Sequence, residues 1–305
     1  MENLHRTKTN EVQQYAEPIR LATEKGDQAT LKRLIRDQER AVKLQKMDKE
    51  ELQRLHAAQR TFLRKAVENF LKCFAACSDF DQHVPKFCAI WLKHAKQRGL
   101  NDIVSGILPQ VPSYKFLLLL HQLCSRLSED KHDVFQQCLT TLLLRIINEH
   151  PFHASHQIFS AIFGSREALG ESRSSAARAL AGHASQTRKI GQSSIRELFT
   201  TLFDMYSAYS DLANLPVDKR SHAGNEIPIS SCPGLRKFRA KSFADLRLPP
   251  PSLKIPISPD LDYSALPFIK KYHHSFRIAG GINQPKILDS VLSNGALFRE
   301  LVSPS

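Results

Sequence analysis

The stretch FRIAGGINQPKI, residues 276–287, predicts two β-strands joined by a tight turn at Gly280 and Gly281. Because glycine has no Cβ, backbone N–H groups in such a turn can approach a phosphate closely, as in the glycine-rich loops that cover nucleotides. Neither a GxGxxG sequence nor a Walker A sequence is present. The residues alone therefore leave two interpretations. One is an ordinary β-hairpin, which is the commoner, and the other is a nucleotide-binding loop.

On both sides of this hairpin, the last third of the chain is rich in proline and alternates apolar with polar residues. This pattern predicts irregular connections and strands rather than helices. We expect strands at residues 253–257, 268–279, 286–292 and 297–302. With no helix to cover them, three or four strands cannot form a core of their own. We therefore expect that the sequence is truncated and contains only the first part of a β-sheet lobe.

The first two thirds of the chain have few prolines and show apolar residues at helical spacing. Pro85 is expected at the first position of one helix, and Asn101 and Ser113 are expected to cap two others. Successive antiparallel helices with short connections are typical of a stacked α-solenoid, here without a fixed repeat length. The predicted helices span residues 27–77 (as one long helix or two abutting ones), 86–97, 102–108, 114–127, 131–150, 152–163 and 194–214. Residues 164–191, rich in small residues, serine and arginine, are expected to form a mobile basic loop.

Composition and charge exclude several classes of protein. The 305 residues are 42% hydrophobic and carry a formal net charge of +13, enough for a sizeable core and an attraction to polyanions or acidic protein surfaces. No run of about 18 apolar residues predicts a bilayer-spanning helix, and residues 1–20 lack the apolar segment of a secretory signal. We therefore expect a soluble protein in a reducing compartment, with six free cysteines.

Three other groups of residues could carry chemistry, but each has a more ordinary interpretation. The cysteines and histidines at Cys73, Cys77, His83, Cys88 and His94 lack the two-residue spacing of zinc knuckles and lie among aromatic residues, which favours a place in the core over a metal site. His150 and His153 flank a helix junction, where we expect them to bond the last carbonyls of the preceding helix. The basic residues at 219–220 and 236–241 could bind nucleic-acid phosphates, yet solvated linker charge explains them better.

Four stretches together resemble the ATM family of phosphatidylinositol 3-kinase-related protein kinases. They are FLRKAVENFL at residues 62–71, VPSYKFL at 111–117, RIINEHPFH at 145–153 and the glycine hairpin at 276–287. They occur in the order and approximate spacing of that family, and the hairpin is the most specific of them. The resemblance covers nearly the whole chain, from about residue 20 to Val302.

The resemblance implies a mainly α fold: a FAT-type α-solenoid at residues 1–215 with its mobile loop at 164–191, a linker and first strand at 216–265, and an incomplete kinase N-lobe at 266–305. In this family the glycine-rich loop contacts ATP, which the kinase uses with magnesium. The implied nucleotide contacts are Ile278, Ala279, Gly280, Gly281, Ile282, Asn283 and Gln284. No catalytic or metal-binding residue is implied within the chain.

The family phosphorylates Ser-Gln and Thr-Gln sites, signals DNA double-strand breaks from the nucleus and has a role at telomeres. The resemblance implies three partners. They are the rest of the kinase polypeptide (its upstream solenoid and kinase C-lobe), a DNA-break sensor complex and a second copy of the kinase. It implies no membrane partner, and we do not expect direct binding to nucleic acid. After Val302 the family places its ATP-binding lysine, whereas here Ser303, Pro304 and Ser305 follow. We therefore expect a regulatory scaffold without kinase activity of its own. The alternative is a freestanding basic helical adaptor that binds nucleic acid or an acidic protein.

Overall fold

The computed structural model describes residues 12–130, 132–163, 168–184, 189–190, 193–216, 226–239, 247–279 and 284–303. The chain divides into two compact units, Met1–Val67 and Glu68–Ser305. The first contains helix α1 (Ala16–Glu24) and most of the long helix α2 (Gln28–Ala76), which confirms the helix predicted from residue spacing. Asp27 caps α2 by accepting hydrogen bonds from Thr30 N at 3.1 Å and Thr30 Oγ at 2.6 Å.

The second unit continues with helices that pack against near neighbours in the chain, as expected for a helical-repeat region. They are α3 (Val84–Lys93), α4 (Arg98–Ile107), α5 (Leu120–Cys124), α6 (Val134–Glu149), α7 (Pro151–Phe163), α8 (Ala168–Gly182), α9 (Ile195–Asn214) and α10 (Pro233–Arg239). No single helix within the described residues is long and apolar enough to cross a membrane, although the bent pair Arg98–Gln110 and Ser113–Cys124 together meet that length and composition.

Two of the predicted helix caps were wrong. Asn101 lies inside α4 and is buried, where its Oδ1 accepts a hydrogen bond from Trp91 Nε1 at 3.0 Å and its Nδ2 donates to Ala95 O at 2.6 Å. Ser113 begins a 3₁₀ helix rather than an α-helix, and its hydroxyl donates to Glu149 of α6. In both places a tertiary partner competes with the local capping bond, because a buried polar group must find a hydrogen bond wherever one is available.

The mobile loop expected at residues 164–191 was also wrong over α8. Ala177 and Leu180 of this helix are buried, and Ser174 Oγ donates to Ile162 O of α7 at 2.6 Å. Small side chains lower the apolar signal of a helix, but they also allow its backbone to approach a neighbouring helix closely. The parts of this loop at residues 164–167, 185–188 and 191 lie outside the described residues.

The sheet is antiparallel, with strands in the order β3 (Ile227–Pro228), β4 (Ile269–Ile278), β5 (Lys286–Leu292) and β6 (Leu297–Val302). A separate pair of two-residue strands, β1 (Lys189–Ile190) and β2 (Ser193–Ser194), precedes α9. The last three strands of the sheet confirm the predicted ones, but residues 253–257 are irregular. Prolines at 249–251 and 256 lack the N–H that a strand donates to its neighbour. The segment 216–265, expected to hold a linker and a first strand, contributes β3 and α10.

Contrary to expectation, the sheet has a covering helix. Leu202, Met205 and Leu212 of α9 share one buried core with Phe276 of β4 and Leu288 of β5. The helices from α3 onward and the sheet lie in the same compact unit. The domain boundary expected near residue 215 stays a prediction.

Candidate functional site

The hairpin predicted to contact nucleotide connects β4 to β5. Ile278 pairs with Lys286 at its base, and Ala279 N donates to Pro285 O at 2.7 Å. Gln284 has a φ of 45°, a left-handed conformation that reverses the chain just before β5. Of the predicted contact residues, Ile278, Ala279 and Gln284 are therefore placed at the root of this turn. The other four, Gly280, Gly281, Ile282 and Asn283, lie outside the described residues, and the nucleotide role of all seven stays a prediction.

The first residue of β5, Lys286, connects the hairpin to helix α9. Its side chain is buried, and its Nζ donates to Ala213 O at 2.7 Å. Ala213 is in the last turn of α9, where carbonyl groups have no partner within the helix. Burial lowers the pKa of Lys286 below its ordinary value. This contact fixes the base of the glycine turn against the helical region, and no local pattern in the sequence indicated it.

A buried carboxylate joins three further segments to the same helix. Glu300 of β6 is only 3% exposed. Its Oε1 accepts from Ser252 N at 3.1 Å and Ser252 Oγ at 2.8 Å, and its Oε2 accepts from the hydroxyl of Tyr209 in α9. The Tyr209 hydroxyl lies 3.4 Å from that of Tyr272 in β4. We call Tyr209, Ser252, Tyr272 and Glu300 the junction cluster.

Burial stabilises the protonated form of the junction tyrosines. It raises the pKa of Tyr209 well above the ordinary value, and the nearby Tyr272 and Glu300 raise it further. Burial also raises the pKa of Tyr272. Both phenols are protonated at neutral pH, as an ordinary tyrosine is, so Tyr209 can donate to Glu300. The buried polar groups of the cluster bond one another. Because hydrogen bonds are directional, they define the orientation of the sheet on α9 more narrowly than apolar contact alone would.

The opposite face of the sheet carries a different charged group. Asp289 of β5 accepts from Arg277 Nη2 of β4 at 3.0 Å and from Arg299 Nε of β6 at 2.8 Å. The hydrogen bond from Arg299 is the main cause that holds the pKa of Asp289 below its usual value. The two arginines are partly exposed, so these ion pairs cross-link three strands at the surface.

We expected the side chains of the two histidines at the α6–α7 junction to bond the last carbonyls of α6, but their partners lie elsewhere. His150 ends α6 through its backbone N–H, while its Nδ1 lies 2.5 Å from the hydroxyl of Tyr263. His153 Nε2 lies 3.3 Å from Ile255 O, and burial lowers the pKa of His153. Both imidazoles therefore hold the proline-rich segment that approaches the sheet.

Within the described part of the chain, the cysteines and histidines between Cys73 and His94 do not converge as a group of potential metal ligands. Cys88 is buried beside Phe87 and Trp91 of α3, and burial raises the pKa of its thiol to about 12. Among the residues that the structure describes, three potential metal ligands converge only at Glu226, His273 and His274. The basic stretch at 236–241 is in part helical, because α10 includes residues up to Arg239; residues 219–220 and 240–241 lie outside the described part.

Sequence comparison finds related kinases. No protein-family model matches the chain. It is 36% identical over 258 residues to the serine/threonine-protein kinase tel1 of Emericella nidulans, an alignment that covers 84% of this chain. It is 27% identical over 285 residues to the serine-protein kinase ATM of Sus scrofa, again over 84% of this chain. In both cases the alignment spans 9% of the relative's own length.

Solved structures give the same result. The structure titled "FAT and kinase domain of CtTel1" matches 98% of this chain and 19% of that chain, with a TM-score of 0.78 and 28% identity. The structure titled "Complete CtTel1 dimer with C2 symmetry" matches 97% of this chain and 11% of that chain, with a TM-score of 0.75 and 26% identity. A helical FAT region followed by strands of a kinase N-lobe thus accounts for nearly all of the chain.

Proposed function

Because this chain is a homologue of one segment of the Tel1/ATM serine/threonine kinases, we propose that it is the connection through which the helical FAT region holds the nucleotide loop of the kinase. The observation that carries this proposal is the double attachment of the sheet to α9. Lys286 binds the end of that helix, and Glu300 binds its buried Tyr209. A movement of α9 would therefore be transmitted directly to β5 and β6, the strands beyond the turn.

In this proposal, Ile278–Gln284 cover the phosphates of ATP, which the kinase uses with magnesium. Such loops act through backbone N–H groups and leave the chemistry to charged residues and metal ions elsewhere in the kinase. The 305-residue chain then supplies the regulatory scaffold and the loop, and it does not transfer phosphate by itself. The domain division proposed is FAT up to residue 215, a linker to 265 and the N-lobe strands from 266.

The wider role proposed rests on the resemblance to the ATM family. The chain would act within a kinase of the DNA double-strand-break response and of telomere maintenance, in the nucleus. Its partners would be the remaining kinase polypeptide, a DNA-break sensor complex and a second copy of the kinase, as in the CtTel1 dimer. Direct binding to nucleic acid is not part of the proposal.

A chimera tests the connection. The segment of the Emericella nidulans tel1 kinase that aligns with this chain would be replaced by it, and phosphorylation of a Ser-Gln peptide measured. We expect ATP-dependent activity, with Gly281→Val raising the KM for ATP and Asn294→Ala, in the other hairpin of the sheet, leaving it unchanged. A folded chimera without activity, or equal KM values in the two variants, would contradict the proposal.

The same peptide assay on the purified 305-residue chain tests the scaffold role. We expect no phosphate transfer above that of a heat-denatured control. ATP-dependent turnover by the isolated chain would show that it is an enzyme in its own right.

A further inference from the structure

Two adjacent histidines of β4 lie on the same side of the strand. The ring centroids of His273 and His274 are 4.2 Å apart and their planes differ by 35°. Consecutive side chains of a regular strand point to opposite faces, which would separate these rings. The pairing of β4 with β5 is irregular between Tyr272 and Phe276, and a local irregularity of this kind redirects side chains. The strand is thus distorted where the two imidazoles meet.

A carboxylate completes the group. Glu226 immediately precedes β3, and one potential ligand atom from each of Glu226, His273 and His274 lies within 4.8 Å of the others. His274 Nε2 is 3.8 Å from Glu226 Oε2, too long for a hydrogen bond but close enough for the two atoms to share an ion. Both side chains are exposed, and His274 can rotate toward a common centre with Glu226 without disturbing the core.

A buried serine orients two of these residues. Ser275, only 6% exposed, donates from Oγ to Glu226 Oε2 at 2.9 Å, and His273 Nδ1 lies 3.1 Å from the same Oγ. Since the hydroxyl proton is directed at Glu226, Oγ acts as acceptor toward His273, which places the imidazole proton on Nδ1. The lone pair is then on Nε2. Hydrogen bonds that fix the tautomer of a histidine and the direction of a carboxylate are characteristic of metal sites.

From this arrangement we propose that Glu226, His273 and His274 bind one divalent transition-metal ion of the zinc type. Two imidazoles and one carboxylate suit zinc better than magnesium or calcium, which prefer oxygen ligands alone. Three protein ligands leave the fourth tetrahedral position to water. The ion would join the segment before β3 to β4 and so fix the edge of the sheet, where Ile227 pairs with Phe276. This inference does not depend on the proposed kinase role.

Calorimetric titration of the metal-free 305-residue chain with Zn²⁺ tests the site. We expect saturation at one equivalent, and a loss of affinity of roughly tenfold or more in each of Glu226→Gln, His273→Gln and His274→Gln. The matched control is His56→Gln, which removes an exposed histidine from α2 and should leave the affinity unchanged. Ser275→Ala should weaken binding less than loss of a ligand.

A spectroscopic measurement separates this site from scattered surface binding. Co²⁺ in place of Zn²⁺ should give the visible absorption of a tetrahedral site in the wild-type chain and in His56→Gln, and lose it in His274→Gln. Replacement of the exposed His274 should leave the far-ultraviolet circular dichroism unchanged, so a loss of binding cannot be attributed to unfolding. No saturable binding, or equal affinity in His274→Gln and the wild type, would overturn the proposal.

Discussion

The apolar centre of the helical region and the junction cluster are both buried, but they are assembled in different ways. Around Trp91, aromatic rings from its own helix α3 and from α6 pack directly: the ring centroids of Phe87 and Phe135 lie 6.0 Å and 5.2 Å from that of Trp91. In the junction cluster, Glu300 bonds Tyr209 across 91 positions of sequence. The first region is stabilised mainly by apolar contact, with one buried hydrogen bond from Trp91 to Asn101, and the second by hydrogen bonds between distant segments.

This difference shows what each region contributes. Apolar contact is not directional, so the helices can pack tightly without a unique mutual orientation. Buried hydrogen bonds require defined distances and angles, and an unmet donor or acceptor is costly. The helical centre therefore contributes stability through apolar burial, while the junction cluster defines how the sheet sits on α9.

The largest expected effect is at the helical centre. Trp91→Ala leaves a large cavity among rings that cannot close over it, and we expect a loss of about 3–5 kcal/mol in the free energy of unfolding. Phe62→Ala is the control, because Phe62 is 70% exposed and its loss should change stability by less than about 0.5 kcal/mol. Urea denaturation followed by tryptophan-independent circular dichroism measures both. Equal effects would mean that the ring cluster is not the stable centre.

The next effect is at the junction cluster. Glu300→Ala leaves Tyr209 and Ser252 without their acceptor, for an expected loss of about 2–3 kcal/mol. Glu300→Gln keeps an acceptor oxygen and should cost less, whereas Glu129→Ala, at an exposed position, should cost almost nothing. Hydrogen exchange of β6 and α9 should report the loss locally. A loss for Glu300→Gln equal to that for Glu300→Ala would show that volume, not hydrogen bonding, matters here.

The same contrast explains which features could be predicted from the sequence. Helical spacing identified α2 and α9, and alternation identified β4, β5 and β6, because each pattern records which face of one element is buried. Asn101 was misassigned because its cap-like position gave no indication of Trp91 as its partner. A pattern confined to one element cannot reveal bonds between elements.

The candidate site follows the same rule. The hairpin around residues 276–287 was predicted because glycines between strands are a local signal. The attachment of Lys286 to Ala213, and of Glu300 to Tyr209, could not be predicted, because each depends on where α9 lies in three dimensions. The covering helix itself is an example: α9 was recognised as a helix, but its apolar face gave no indication that the sheet was its partner.

A smaller effect is expected at the start of α9, where a local signal supports the long-range contact. Ser194 and Glu197 form a capping box, with Ser194 N donating to Glu197 Oε2 at 2.8 Å and Glu197 N to Ser194 Oγ at 3.2 Å. Ser194→Ala should reduce the free energy of unfolding by about 1 kcal/mol. Ser194→Asp, which can still cap, is the control. In Ser194→Ala we expect faster hydrogen exchange only in the first turn of α9. This result would show that the cap stabilises the start of the helix and that the junction cluster does not depend on it.

The smallest effect is expected at the exposed face of the sheet. The pKa of Asp289 is lowered mainly by its hydrogen bond with Arg299, so the ionised carboxylate stabilises the fold above the ordinary carboxyl pKa, and this contribution is lost as pH falls through the lower pKa of the folded state. Asp289→Asn should therefore cost about 0.2–1 kcal/mol at pH 7, since the arginines are partly exposed.

Urea denaturation of the Asp289→Asn variant from pH 7 down to pH 3 checks this sign. Its deficit relative to the wild type should shrink in the acidic range and also in high salt, which screens exposed ion pairs. Asp79→Asn, at an exposed position without such arginine bonds among the described contacts, should show no comparable deficit. A deficit at pH 7 as large as that of Glu300→Ala would mean that the surface ion pairs, rather than the buried junction cluster, hold the sheet.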